Sequence, residues 1–308
     1  MTTRRIGIDL TAVCNLRCTM CALDRFHPSR GVLDFSLLGE IAAGLSFFDE
    51  VHVGWCGEPL MHPRFAEAAA LLKRAGPRLV VTTNGTLLDP GTADALVDAR
   101  LDVLNVSIDG STPERYSRIR RGGDLRAVLS NVRTYLARRK PGQCVNMIST
   151  VHAENVDDME DLARLARDTG FDAMAFNFAV PHFSEIVSSD SGTFDAARAV
   201  GRAREAAGAF ADRVVAPSFS ASRGCAYLTP AITPEGDLVP CAMMLFERDT
   251  FYRGRAVRVA RRSFGNVGAV PLLRIIESPD YLAFVGTARA SSADSCGPCA
   301  LNAGCFCP

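Results

Sequence analysis

Along the first two-thirds of the chain, short apolar runs alternate with stretches whose apolar residues recur every three or four positions. The runs Ile6–Leu10, Glu50–Gly54, Arg78–Thr82, Asp102–Ser107, Val145–Val151 and Ala173–Phe178 predict strands. The stretches Ser36–Leu45, Pro63–Arg74, Gly91–Asp98, Leu125–Arg139, Val156–Asp168 and Thr193–Phe210 predict helices. Strand followed by helix at this spacing is the order of parallel strands joined by crossover helices. Six such units predict an α/β fold with an open (β/α)6 barrel rather than a closed eight-unit one.

The rhythm breaks near residue 213, which places a boundary between a domain at 1–212 and a second at 213–308. In the second domain Ala231–Met243 predicts two short strands around the turn 234-PEGD-237. The run 270-VPLLRIIESPDYLAFV-285 predicts helix interrupted by a proline. The glycine-rich tail 296-CGPCALNAGCFCP-308 is too short to bury a core of its own, and metal is the usual staple for such a segment.

Charge removes some functions. Lysine plus arginine equals aspartate plus glutamate at 34 each, so the 308-residue chain has no net attraction for phosphate backbones or anionic lipid. The expectation is no nucleic acid and no membrane partner. The segment MTTRRIGIDLT lacks the apolar core of a signal peptide, which predicts a cytoplasmic protein with reduced thiols. Eleven cysteines then need another reason. Cys56 and Cys144 stand alone, and the other nine gather towards the two ends.

Cys14, Cys18 and Cys21 lie close together in 11-TAVCNLRCTMCALDRF-26. Three thiolates plus His27 would suit zinc. Three thiolates without a fourth ligand would suit a 4Fe–4S cluster with one iron open to a substrate or cofactor. Spacing leaves both readings open.

This C-x3-C-x2-C after the first strand of an α/β repeat resembles the signature of the radical S-adenosylmethionine (SAM) enzymes. The resemblance implies a partial TIM barrel and a cluster on Cys14, Cys18 and Cys21 whose open iron chelates the methionine end of SAM. It implies that an electron from the cluster cleaves the sulfonium and that the 5′-deoxyadenosyl radical takes a substrate hydrogen. An electron donor such as flavodoxin or ferredoxin comes with that chemistry. Other stretches carry the likeness further. In 57-GEPLMHP-63, Gly57 and Glu58 would line SAM's ammonium group. In 107-SIDGSTPERYSRIRRGG-123, Ser107 and Asp109 would meet the ribose and Arg120 the carboxylate. In 82-TTNGTLL-88, Asn84 would lie near the cofactor. Two positions depart from the pattern: Met20 replaces an aromatic residue, with its sulfur still able to contact a ring, and Cys56 replaces the first of two glycines.

The C-terminal half of the pattern resembles the SPASM and twitch extensions of that family. Cys225, Gly236 and Cys241 form C-x10-G-x4-C, and Cys296, Cys299 and Cys305 form C-x2-C-x5-C. The full SPASM set of cysteines is not reached, because only Phe306 separates Cys305 from Cys307. The resemblance therefore implies one auxiliary 4Fe–4S cluster on Cys225, Cys241, Cys296 and Cys299. Cys305 and Cys307 would be spare, substitute ligands, or part of an incomplete second cluster. A zinc ribbon on the same four cysteines stays open.

A substrate radical can be oxidised through an auxiliary cluster, quenched by a thiol hydrogen, or allowed to fragment. Dehydrogenation, epimerisation and decarboxylation follow respectively. Cys56, Cys305 and Cys307 are candidate hydrogen donors. Glu185, Asp190 and Arg223 lie where substrate contacts or solvated charges would fall. The first strand is expected to begin by residue 6, which predicts no room before it for the added peptide-recognition domain that peptide-modifying members of the resembled family often carry. The expected substrate, by analogy with the family's range, is thus a small polar metabolite: a sugar, aminocyclitol or nucleoside of the kind met in antibiotic biosynthesis. A maturase of a ribosomal peptide or partner protein, and a non-catalytic iron–sulfur electron carrier, are the alternatives.

Overall fold

A computed structural model describes residues 4–21, 23, 31–178, 196–216, 229–245, 247–252 and 255–290. His27, Glu185, Asp190, Arg223, Cys225, Cys296, Cys299, Cys305 and Cys307 lie outside the described residues.

In chain order the strands are β1 (Arg5–Ile8), β2 (Arg17–Cys18), β3 (Glu50–Val53), β4 (Arg78–Thr83), β5 (Val103–Ser107), β6 (Arg120–Arg121), β7 (Cys144–Val151), β8 (Ala173–Phe178), β9 (Val214–Val215), β10 (Ala231–Ile232), β11 (Leu238–Val239), β12 (Arg248–Tyr252) and β13 (Arg255–Val259). The α-helices are α1 (Phe35–Gly44), α2 (Phe65–Arg74), α3 (Pro90–Asp98), α4 (Pro113–Ile119), α5 (Leu125–Arg138), α6 (Met159–Thr169), α7 (Ala196–Ala207), α8 (Leu272–Ile276) and α9 (Pro279–Ala290). All six strands expected for the first domain form, each followed by a helix. The described residues fall into two compact units. One draws on Met1–Cys14, Ala22–Val81 and Phe219–Pro308, the other on Asn15–Cys21 and Thr82–Ser218.

In the first unit β1 pairs parallel with β3, and β3 with β4. The edge of β1 is taken by β10, again in parallel, with Gly7 opposite Ala231. Strand β11 folds back on β10 as a short hairpin around Gly236, whose φ of +86° is a conformation glycine adopts without a side-chain clash. Ile6, Ile8, Val51 and Val53 are buried, as are Leu38 and Ile41 of α1 and Ala68, Ala69 and Leu72 of α2. The proline break resolves as two helices: Pro279 opens α9, where its missing N–H costs nothing.

In the second unit β5, β7, β8 and β9 are parallel neighbours. Strand β7 alternates along its length, with Val145, Met147, Ser149 and Val151 buried and the residues between them half-buried. That period is two, as a pleated strand requires. The half-buried face carries polar groups, and Asn146 Nδ2 donates to Asn105 Oδ1 at 3.2 Å. Aspartates start the helices: Asp89 and Asp124 accept from Thr92 N and Arg126 N.

The two-residue ladder β2–β6, the strand β9, the hairpin β12–β13 and the short helix α4 are not expected from the sequence pattern. Two-residue strands carry no periodicity to read. Helix α6 begins three residues later than expected, because Val156–Asp158 is a 3-10 turn.

Candidate radical SAM site

The site is built on the segment that leaves β1. In the first unit, Val13 N donates to Thr11 Oγ1 at 3.0 Å, and Glu58 N donates to Val13 O at 2.7 Å. Residues 11–13 are thereby laced to the Gly57–Glu58 turn. Gly57 has φ of +70°, and a Cβ there would sit 2.1 Å from Thr11 O. Only glycine lets the two backbones approach this closely. Glu58 is buried, and its Oε1 accepts from Leu60 N at 3.1 Å. His62, which invites a catalytic reading, is structural: Nε2 meets Leu33 O at 3.1 Å and Nδ1 accepts from Arg64 N.

Cys14 is half-buried and packs against a small apolar group formed by Ala12, Leu23, Cys56, Ala231, Val239 and Leu245. Cys56 is buried within that group, and Trp55 and Ala242 border it. Cys241, just after β11, is buried as well.

Sequence reasoning passed over Asp9, at the end of β1. It is buried, and its Oδ1 accepts from Trp55 N at 2.9 Å and Cys56 N at 2.8 Å. Burial pushes its carboxyl up to about 7, the two N–H donors oppose that shift, and Glu235 adds to it. The signal available was a lone acid in the apolar strand 6-IGIDL-10. Gly7, two residues earlier, makes room for the indole of Trp55, whose ring atoms lie 2.7 Å from where a Cβ would stand.

In the second unit, Cys18 is half-buried, Cys21 exposed and Met20 half-buried. A turn, Cys21 N to Cys18 O at 3.1 Å, joins the two cysteines. Strand β2 places Cys18 opposite Arg120 and Arg17 opposite Arg121. Arg120 is buried and pairs with the fully buried Asp109 at 2.7 Å. Burial alone would weaken the Arg120 charge, but Asp109, then Cys18 and Tyr116, hold the guanidinium firmly protonated. Asp109 Oδ1 accepts from Thr150 N at 2.7 Å. Ser107, at the end of β5, is half-buried.

Asn84 is engaged in a closed triangle. Its Nδ2 donates to Asn15 Oδ1 at 2.9 Å, its Oδ1 accepts from Thr86 Oγ1 at 2.6 Å, and Asn15 Nδ2 donates to Thr86 Oγ1 at 2.8 Å. Asn15, which immediately follows Cys14, was not singled out by its sequence.

The donors suit an iron–sulfur cluster by their chemistry: thiols at short spacing, two joined by one turn, with a cation beside Cys18. Among the described residues no three His, Cys, Asp or Glu side chains converge as on a single ion, so the ligand set comes from the motif. Among them, too, no helix is long and apolar enough to cross a membrane.

Comparison with known proteins agrees. The model of the radical SAM superfamily matches residues 8–166, just over half of the 308 residues. The SPASM model, an iron–sulfur cluster-binding domain, matches residues 225–300. The chain is similar to the tungsten-containing aldehyde ferredoxin oxidoreductase cofactor-modifying protein of Pyrococcus furiosus, at 28% identity over 97% of this chain and 87% of that one. It is 32% identical to a GTP 3′,8-cyclase of Alkaliphilus oremlandii over 55% of each chain. Among solved structures it resembles anSMEcpe with bound AdoMet and Cp18Cys peptide, with TM-score 0.65 and 16% identity over 93% of this chain and 83% of that chain. It also resembles Streptococcus suis SuiB bound to the precursor peptide SuiA, with TM-score 0.67 and 13% identity over 91% of this chain and 66% of that chain. These likenesses show the fold: an α/β partial barrel with a parallel sheet, followed by a SPASM-type domain. The chain belongs to the radical SAM superfamily, and 4Fe–4S clusters and SAM are the cofactors of that chemistry.

Proposed function

We propose that this radical SAM enzyme is a maturase, acting on a peptide or on a partner protein and its cofactor. One observation carries this: similarity to the Pyrococcus cofactor-modifying protein runs through 97% of this chain, so it includes the C-terminal domain as well as the barrel. The peptide-bound structures with the same fold add support. A free small polar metabolite is the second reading, favoured by the partial likeness to the GTP 3′,8-cyclase.

Cys14, Cys18 and Cys21 hold the open-sited cluster, and Cys225, Cys241, Cys296 and Cys299 hold the auxiliary one. Cys305 and Cys307 are alternative ligands. The functional division follows 1–212 and 213–308. When bound, the cluster and SAM supply a carbon radical that abstracts hydrogen. The chain's own part is to bind and orient. Gly57 gives backbone access, Glu58 offers anionic oxygen to an ammonium group, and Ser107 offers a hydroxyl. Arg120 supplies positive charge for a carboxylate, and Asp109 positions it. Asn84 positions the cysteine loop through Asn15, and Met20 borders the adenine. Cys56 is a hydrogen donor if the reaction is an epimerisation. An acidic flavodoxin or ferredoxin supplies the electron.

The test is mass spectrometry of peptides and proteins encoded beside this chain, co-expressed with it or with its Cys14→Ala variant. A mass change with the first and none with the second is expected. A small-molecule product under the same conditions, with every peptide and protein unchanged, would favour the second reading.

A further inference from the structure

Strand pairing sets Arg17 directly opposite Arg121, and both are exposed. Cross-strand partners have Cβ atoms about 4.5–5.5 Å apart, and like charges at that separation repel. No ion pair joins either side chain to an acid among the described residues. Arg126 is exposed nearby in sequence, and Asp124 is occupied in capping α5 through Arg126 N. Arg118 is exposed too and meets Glu154 only at 3.8 Å. The neighbouring pair in the same ladder is Cys18 and Arg120, and Arg120, unlike Arg17 and Arg121, is buried and pairs with Asp109.

Two exposed arginines with no acid partner among the described residues thus face each other across the ladder, beside Cys18 of the C-x3-C-x2-C motif. The net charge of the whole is zero, so the patch is local and not part of a general basic surface. We propose that Arg17 and Arg121 form the docking patch for an acidic one-electron donor protein. This rests on Cys18 being a cluster ligand. The donor loses one electron, the oxidised cluster gains it, and no covalent bond forms. Opposite charge brings the acidic face of the donor to β2–β6, so the electron enters beside Cys18 and exposed Cys21.

The experiment uses the anaerobically reconstituted full chain and reduced flavodoxin as probe. Cluster reduction is followed by absorbance bleaching in stopped flow, and flavodoxin affinity by titration. The variants are the doubles Arg17→Glu with Arg121→Glu and Arg17→Gln with Arg121→Gln. For the native chain, flavodoxin-driven reduction should slow several-fold between about 50 and 300 mM salt. The Glu pair should lower that rate and the affinity at least about tenfold, with the Gln pair intermediate. Dithionite-driven reduction should stay within about twofold in both, since a small reductant needs no docking patch. Equal flavodoxin rates and affinities in native and variant chains would overturn the proposal. So would a parallel fall in the dithionite rate. Failure of the radical SAM assignment reads differently: no 5′-deoxyadenosine forms with dithionite in the native chain, while the affinity titration still decides the docking patch.

Discussion

Asn84 Nδ2 donates to Asn15 Oδ1 at 2.9 Å, and both amides close on Thr86. The residue after Cys14 is thereby fixed to the end of β4. Replacing Asn84 by Ala removes its hydrogen bonds to Asn15 and Thr86; because water can reach exposed Asn15 and half-buried Thr86, the cost is about 0.5–1.5 kcal/mol per bond. The expected outcome is a lower melting temperature and a reduced iron content after reconstitution, checked by calorimetry and iron analysis. Asn84→Asp should restore only the acceptor and leave the loop partly loosened.

Gly57→Ala places a methyl group 2.1 Å from Thr11 O at a φ of +70°. The strain is of order 1–3 kcal/mol or more, and it falls on the turn that carries Glu58. SAM affinity, measured by equilibrium dialysis, should drop by at least about tenfold. Gly39→Ala, where nothing lies within 4 Å, is the control and should leave affinity unchanged.

Asp9 makes stability depend on pH. Its carboxyl is held at about 7 in the folded chain against 3.8 for the ordinary group. Between those values the folded state keeps a proton that the unfolded state has released. Stability contributed by this group is full below about pH 4, falls as pH rises to about 7, and is then flat. Asp9→Asn removes the dependence while its Oδ1 can still accept from Trp55 N and Cys56 N. The variant should therefore gain melting temperature relative to the native chain at pH 8, and gain less at pH 5.

Asp109→Asn leaves the buried Arg120 charge without its counterion. Loss of one partner of a buried pair costs about 3–5 kcal/mol. Urea unfolding should show a lower midpoint with an unchanged slope.

The strand and helix order was legible because each strand of the barrel is a distinct apolar run and each helix repeats on its own period. The cysteine motif was legible because its chemistry is local in sequence. What pairs across distance was not. Nothing in 5-RIGID-9 announces that Gly7 seats Trp55 or that Asp9 holds the turn before Gly57, because both partners lie more than forty residues away. Ladder β2–β6 joins residues a hundred positions apart through two pairs only. Asp109 and Arg120 were read as separate ligand contacts, and the structure pairs them with each other.

The most direct measurement is anaerobic. The reconstituted chain is mixed with SAM and dithionite, and 5′-deoxyadenosine is quantified alongside iron. Steady formation of 5′-deoxyadenosine, abolished by Cys14→Ala, Cys18→Ala or Cys21→Ala, is the expected result. Iron at these cysteines without any 5′-deoxyadenosine, or zinc bound in its place, would contradict it.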